Sequence, residues 1–233
     1  MGRTFTTLFR APYAAPNGLQ ATDDGLWIID QLTDRAALVE MGEPHEYGAT
    51  RILAEIPTES SNSSGLTYGD GSLWLAANGP GHLWRAARDT DAQGGEVLRV
   101  DPATGRTESR YPLPGGGGTH GIEFDRYEEG VIWLTTLHED TISKVRISDW
   151  TVLGTIPLTH GVGHGIVRVE DGIWIVHRQD RIILKLDLQD GHELDRIENP
   201  APLPEAHGLT AYEGDFLYCD ASTGAIVRIR QEI

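Results

Sequence analysis

The chain has 233 residues, 39% of them hydrophobic, with 35 acidic against 19 basic side chains and a formal net charge of −16. That length allows one sizeable core, and an isoelectric point near 4.8 sets the protein against phosphate backbones and anionic bilayers, so neither nucleic acid nor a membrane is expected as a partner. One cysteine, Cys219, excludes an internal disulfide, and MGRTFTTLFRAPY lacks the apolar core of a signal peptide, so a cytoplasmic protein is the default expectation.

Residues 4–9, TFTTLF, stand ahead of a repeat that begins at Asn17. NGLQATDDGLWII runs from a small polar residue through a glycine and a branched apolar residue to an acidic turn and an apolar-Trp-apolar strand. The unit returns as SGLTYGDGSLWLA from Ser64, HGIEFDRYEEGVIWLT from His120, HGIVRVEDGIWIV from His164 and HGLTAYEGDFLYC from His207. Leu217 takes the place held in the other copies by Trp27, Trp74, Trp133 and Trp174. A third strand follows each unit, as in EVLRVD, TISKVRI, RIILKLDL and AIVRIR, and a fourth closes the complete ones, as in TVLGTIPL and ELDRIEN. Short apolar runs broken by turn residues predict strands throughout. The glycines Gly18, Gly65, Gly121, Gly165 and Gly208 are spaced by 47, 56, 44 and 43 residues. The long interval holds GPGHLWRAARDTDAQGG, an insertion over residues 79–95.

Four short strands in a repeat of this length are the sequence signature of a propeller blade. The expected fold is all-β: a five-bladed β-propeller of four-stranded blades, in one domain over residues 1–233. The last copy lacks a fourth strand. Residues 208–233 and 1–17 together have one repeat's length, so residues 4–9 are predicted to supply that strand and close the ring.

In a propeller the first strand of each blade lines the axis. The residues preceding the glycines, Asn17, Ser64, His120, His164 and His207, should therefore ring one mouth, while each glycine lets neighbouring backbones crowd together. Three imidazoles at one level make His120, His164 and His207 candidate ligands of a divalent metal ion, Zn, Ni, Cu, Fe or Mn, with Mg disfavoured by an all-nitrogen set. The competing reading is a water-filled channel whose histidines bond to each other and to backbone. Loops reaching this mouth carry Tyr13, Ser63, His160 and Glu205, and also Asp30, Gln31, Asn78, His138, His177, Arg178 and Asp220. His177 and His138 are candidate general bases near neutral pH, and Arg178 can clamp a carboxylate. Asp30 and Asp220 can accept from ring histidines and orient them. Asn17, Ser64, Asp30, Asn78, Tyr13 and Asp220, with Trp84 and Arg85 of the insertion, are candidates for substrate binding. The insertion is expected to act as a lid.

PEAHGLT, with THGIEF, GHGIVR and the strand EDTISKV, resembles the repeat unit of propellers that include virginiamycin B lyases and NHL-type repeats. The likeness spans nearly the whole chain at the level of the repeat, but the lyases have seven blades. PNGL at Pro16 resembles gluconolactonase-like propellers, where an Asn at this place faces a channel metal. Five blades are shared with plant-type glutaminyl cyclases, whose motifs are absent. Resemblance to the lyases implies elimination, in which a metal polarises a carbonyl group and a histidine removes the adjacent proton. A lactonase-like variant would use the metal on water or an ester. The expectation is a metal-dependent lyase or hydrolase of a small carbonyl-containing molecule, the arginines favouring an anionic one. The alternative is a non-catalytic propeller that binds a ligand or a partner protein, since the fold hosts both.

Overall fold

The structure is a computed structural model that describes residues 2–44 and 48–231. Its twenty strands form five four-stranded antiparallel sheets, so the five-bladed propeller read from the repeats is the fold of this chain. Blade 1 is β2 (Pro16–Thr22), β3 (Gly25–Asp30), β4 (Arg35–Val39) and β5 (Ile52–Pro57). Blade 2 is β6 (Ser63–Gly69), β7 (Ser72–Ala77), β8 (Glu96–Val100) and β9 (Thr107–Pro112). Blade 3 is β10 (Ile122–Phe124), β11 (Val131–Thr136), β12 (Thr141–Arg146) and β13 (Thr151–Pro157). Blade 4 is β14 (Gly163–Val169), β15 (Gly172–His177), β16 (Ile182–Leu186) and β17 (Glu193–Glu198). Blade 5 takes β18 (Leu209–Tyr212), β19 (Asp215–Cys219) and β20 (Ala225–Gln231) from the C-terminal part, and β1 (Arg3–Arg10) as its outer strand.

Burial across a blade explains the sequence pattern. The second strands β3, β7, β11 and β15 are buried at every position, because each is covered on both faces by neighbouring blades. This is why they read as near-continuous apolar runs around a Trp. Trp27, Trp74, Trp133 and Trp174 are at most 5% exposed and pack between blades, as Trp27 does with Leu66, Leu73 and Leu75. Removing any one should cost about 3–5 kcal/mol. The outer strands β5, β13 and β17 are mostly exposed, each burying one isoleucine: Ile56, Ile156 and Ile197. Charged side chains on such edges discourage pairing with another chain. The acidic hairpin turns belong to backbone geometry: Asp70 and Gly71 (φ 52° and 70°) and Glu213 and Gly214 (φ 50° and 82°) both have the paired positive φ of a type I′ turn.

At the axis, backbone meets backbone. A Cβ on Gly121 would lie 2.2 Å from the His164 carbonyl oxygen, and one on Gly165 2.4 Å from the Leu209 nitrogen. Beneath His120, the glycines and Leu19, Leu66, Ile122, Ile166 and Leu209 leave a cavity of about 10 Å³ that His120 also lines, too small for more than about one water. The mouth is therefore a pit with an apolar floor. Among the described residues no helix is long and apolar enough to cross a membrane.

The insertion does not have the loose attachment expected of a lid. After a 3₁₀ turn at Gly81–Leu83, Arg85 sends a fork to Asp34 (2.7 and 2.9 Å) and also reaches Asp91 (2.6 Å). Arg88 reaches Asp34 at 3.3 Å and the Thr58 carbonyl at 3.0 Å. Asp34 is 1% exposed and left-handed, with φ 55°. Burial raises its carboxyl pKa while the two guanidiniums pull it back, and Arg85 first of all holds Asp91 well below the usual carboxylate range. The insertion is a strap riveted to blade 1.

Candidate functional site

The first residues of the inner strands pair with the last residues of the second strands, as in Pro16 with Asp30, Ser63 with Ala77 and Gly163 with His177. The ring and the loops after the second strands thus share one face. In blades 1, 2 and 4 the pairing slips between Pro16 and Gly18, between Ser63 and Gly65, and between Gly163 and Ile166. An unpaired residue of this kind re-aims its side chain, and here it contains the ring residue. In blade 3 the same turn is held by Thr135, whose hydroxyl oxygen accepts from the His120 and Gly121 N–H groups at 3.0 and 2.7 Å.

The three ring histidines meet as the repeats predict. The His120 and His164 ring centroids lie 4.4 Å apart, and those of His164 and His207 5.4 Å apart. Burial is the main cause that lowers their pKa values, to about 4 for His120 and about 2 for His164, and below the ordinary value for His207. Neighbouring imidazoles and the Arg178 guanidinium add to the effect on His120 and His164. All three are neutral at pH 7, the state in which imidazole ligates metal or takes a proton. The Nδ1 atoms of His120 and His164 are buried with no hydrogen-bond partner. His207 Nδ1 lies 3.2 Å from the Glu205 carbonyl and 3.3 Å from the Ala221 N–H. The ring nitrogens do not gather within 4.8 Å of one another as a set of three, so these rings must turn before one ion could be shared.

Among the described residues, the group that does bring three ligand atoms within 4.8 Å is Asp187, Asp190 and His192, on the exposed turn between β16 and β17 at the opposite face. An ion could be held there, but turn geometry already accounts for the cluster. Asp187 accepts from the Gln189 N–H at 2.7 Å, as Asp101 does from Ala103 and Thr104 at 2.9 and 2.8 Å in blade 2.

The loop residues divide. His177 is 2% exposed. Its Nδ1 lies 2.8 Å from the Gly161 carbonyl oxygen, which can only accept, so Nδ1 carries the proton and Nε2 the lone pair. That Nε2 is buried and unpartnered, and burial lowers the pKa of the ring. Arg178 pairs with Glu205 at 3.1 Å and is a third exposed. His138 is exposed beside the backbone of Gly117. Ser64 accepts from Asn78 Nδ2, and Asn78 Oδ1 accepts from the Thr119 N–H at 2.8 Å, so this pair links blades 2 and 3 at the rim.

Four expectations are corrected. Asp30 and Asp220 do not orient ring histidines. Asp30 accepts from the Ala15 and Thr33 N–H groups and from the Thr33 hydroxyl, and Asp220 from Ser222, Thr223 and Glu205 in the same way. Both are buried loop anchors, and His177 serves its own loop at the same repeat position. Tyr13 turns to the outer strand, its hydroxyl donating to Glu55 at 3.0 Å. Arg85 is consumed by Asp34 and Asp91, which leaves no free guanidinium for a substrate. Sequence reasoning missed Asp34 and Asn62. Two arginines in one insertion invite an acidic partner, and Asp34 and Asn62 hold the left-handed backbone that Asp and Asn tolerate best, but neither signal names its partner.

Among the described residues, seven buried side-chain polar atoms lack a hydrogen-bond partner, and four belong to this mouth: Asn17 Oδ1, His120 Nδ1, His164 Nδ1 and His177 Nε2. Such groups are rare and ask for a ligand, an ion or water.

No protein-family profile and no curated protein matches the chain. Solved structures do. The glutaminyl cyclase of Myxococcus xanthus superposes with a TM-score of 0.70 at 10% identity, covering 98% of this chain and 96% of that one. A streptogramin B lyase gives 0.52 at 17% identity, covering 94% and 66%. A catalytically inactive histidine-to-alanine variant of virginiamycin B lyase from Staphylococcus aureus, with quinupristin, gives 0.52 at 17% identity, covering 94% and 68%. This chain spans about two thirds of the lyases' length. At these identities the likeness establishes a shared β-propeller fold, which enzymes also use.

Proposed function

We propose that the histidine mouth is the active site of a lyase or hydrolase acting on a small carbonyl-containing molecule. The observation that carries this reading is the concentration of buried, unpartnered polar atoms on neutral imidazoles and one amide at a single pit. A protein-binding face would instead gather apolar and aromatic side chains. The neighbours include enzymes, one of them inactivated by loss of a histidine, which supports the reading.

In this reading His177 Nε2, with its tautomer fixed by Gly161, takes a proton from the substrate. Arg178 leaves Glu205 to hold an anionic group, and exposed His138 exchanges protons with solvent. His120, His164 and His207 would hold a divalent metal after ring rotation, which the absence of partners on two Nδ1 atoms permits; when bound, the metal would polarise the substrate carbonyl. The apolar floor keeps the substrate at this end.

The test is elemental analysis of untagged protein, then a screen of lactones, esters, β-eliminating acids and glutaminyl compounds before and after chelation. About one metal per chain is expected, with activity lost on chelation. His164→Ala should lose metal and activity together. His177→Ala should keep metal and lose about 10²–10⁴-fold in rate. Metal-free protein with no turnover, together with capture of a protein partner on this face, would make the propeller a binding module.

A further inference from the structure

The mouth holds an amide whose orientation is dictated from the insertion. Asn17 is 4% exposed, and its Nδ2 donates to Gln31 Oε1 at 2.9 Å. Gln31 Nε2 donates to Asn62 Oδ1 at 2.8 Å, and the same oxygen accepts from Trp84 Nε1 at 2.8 Å. An amide's oxygen and nitrogen can be exchanged without changing its shape, so each of these side chains alone could face either way. The indole removes the ambiguity, because its N–H is a donor and nothing else. Asn62 must therefore present oxygen to Trp84 and to Gln31. Gln31 must donate, so its oxygen faces Asn17, and Asn17 must donate in turn. The oxygen of Asn17 is then left over, buried and without a partner.

From this relay we infer that Trp84 fixes Asn17 as a hydrogen-bond acceptor in the mouth, and that the ligand carries an N–H or O–H donor beside its carbonyl group. This rests on the reading of the mouth as a small-molecule site. Asn17 is the residue that touches the ligand, while Gln31, Asn62 and Trp84 are positioning residues. A buried acceptor facing a ligand with no donor stays unpaired, and sites built this way reject the donor-free analogue. The strap thus serves specificity from a distance, with Trp84 half-exposed at its other end.

The experiment titrates the full-length protein with two probes of one shape, 2-piperidone and δ-valerolactone, at millimolar concentration, following mouth resonances by NMR. The lactam has the donor and the lactone has oxygen in its place. Wild-type protein should favour the lactam by about ten-fold or more. Trp84→Phe keeps the ring but not the donor, so the amides can turn over. The preference should then fall to within about two-fold, mainly because the lactone gains affinity once Asn17 is no longer held as an unpaired acceptor against it. Adding Asn62→Asp to Trp84→Phe restores an obligate acceptor at that place and should restore the preference. Hydrogen exchange of the Asn17 Nδ2 protons gives a ligand-free readout: slow in wild type and in the double variant, fast in Trp84→Phe. Equal binding of both probes by wild type, or a preference and slow exchange that survive Trp84→Phe, overturns the relay while the site reading stands. Probes that shift no mouth resonance overturn both.

Discussion

A buried imidazole gains a proton only by placing a charge where water cannot solvate it, so the histidine mouth is a source of acid sensitivity. For His120, His164 and His207 the folded pKa lies below the unfolded value, and burial is the chief cause. The unfolded chain then binds more protons in the interval between the two values. The stability contributed by neutral histidines is complete above about pH 6.5 and is lost as pH falls through that value toward about 4 for His120 and about 2 for His164. Each histidine that stays neutral at pH 5 should cost about 2 kcal/mol relative to pH 7. Thermal midpoints in the presence of chelator should fall over that range, and the fall should be shallower in His164→Gln. A midpoint slope identical in wild type and His164→Gln would mean that His164 is solvated in the folded protein. The histidines themselves were legible in the sequence because repetition aligned them. Their neutrality was not, because it depends on how closely five strand starts crowd the axis.

At the scale of single elements, the insertion shows what periodicity cannot reach. Its length and position in blade 2 were evident from the spacing of glycines, and a lid was the natural expectation for a long loop over a mouth. The structure instead joins Arg85 and Arg88 to Asp34, a residue of the preceding blade placed 51 positions from Arg85. No repeat copies this contact, so no alignment of the units could reveal it. The strap's removal would leave a buried carboxylate without its counter-charge. Breaking one partner of a buried ion pair typically costs about 3–5 kcal/mol, so Arg85→Ala should lower the unfolding free energy by about 3 kcal/mol in chemical denaturation, the remaining Arg88 contact softening the loss. Asp34→Asn with Arg85→Met, which removes the charge at both ends, should recover part of it. A single variant as stable as wild type would show that Asp34 is uncharged or reached by water. The loop anchors Asp30 and Asp220 were hidden for a similar reason: a carboxylate after a second strand reads equally well as a ligand or as an acceptor for its own turn.

Over the whole molecule, stability depends on joining the two ends of the ring. β1 pairs with β20 from Arg3 opposite Gln231 to Arg10 opposite Ala225, with one irregularity between Thr7 and Phe9. The expected outer strand at residues 4–9 lies within this pairing, and it was legible because repeat arithmetic left one strand missing and one spare. β1 also buries Phe9 to 2% exposure and packs Phe5 on the core between blades 4 and 5. Arg3 extends the seam to blade 4, over the Trp174 ring at 5.7 Å and onto the Arg196 carbonyl at 2.9 Å. Deleting residues 1–9 removes all of this and bares the edge of β20. Loss of one buried Phe alone costs about 3–5 kcal/mol, against a total of about 5–15 kcal/mol for a typical domain. The truncated chain should therefore unfold at a much lower temperature than the Phe9→Ala variant, and its open edge should promote association that grows with concentration. A synthetic peptide of residues 2–10 added in trans should raise the midpoint of the truncated chain as its concentration rises, because it binds only the folded ring. A truncated protein with an unchanged midpoint, or one indifferent to the peptide, would show that the other four blades hold the ring without this closure.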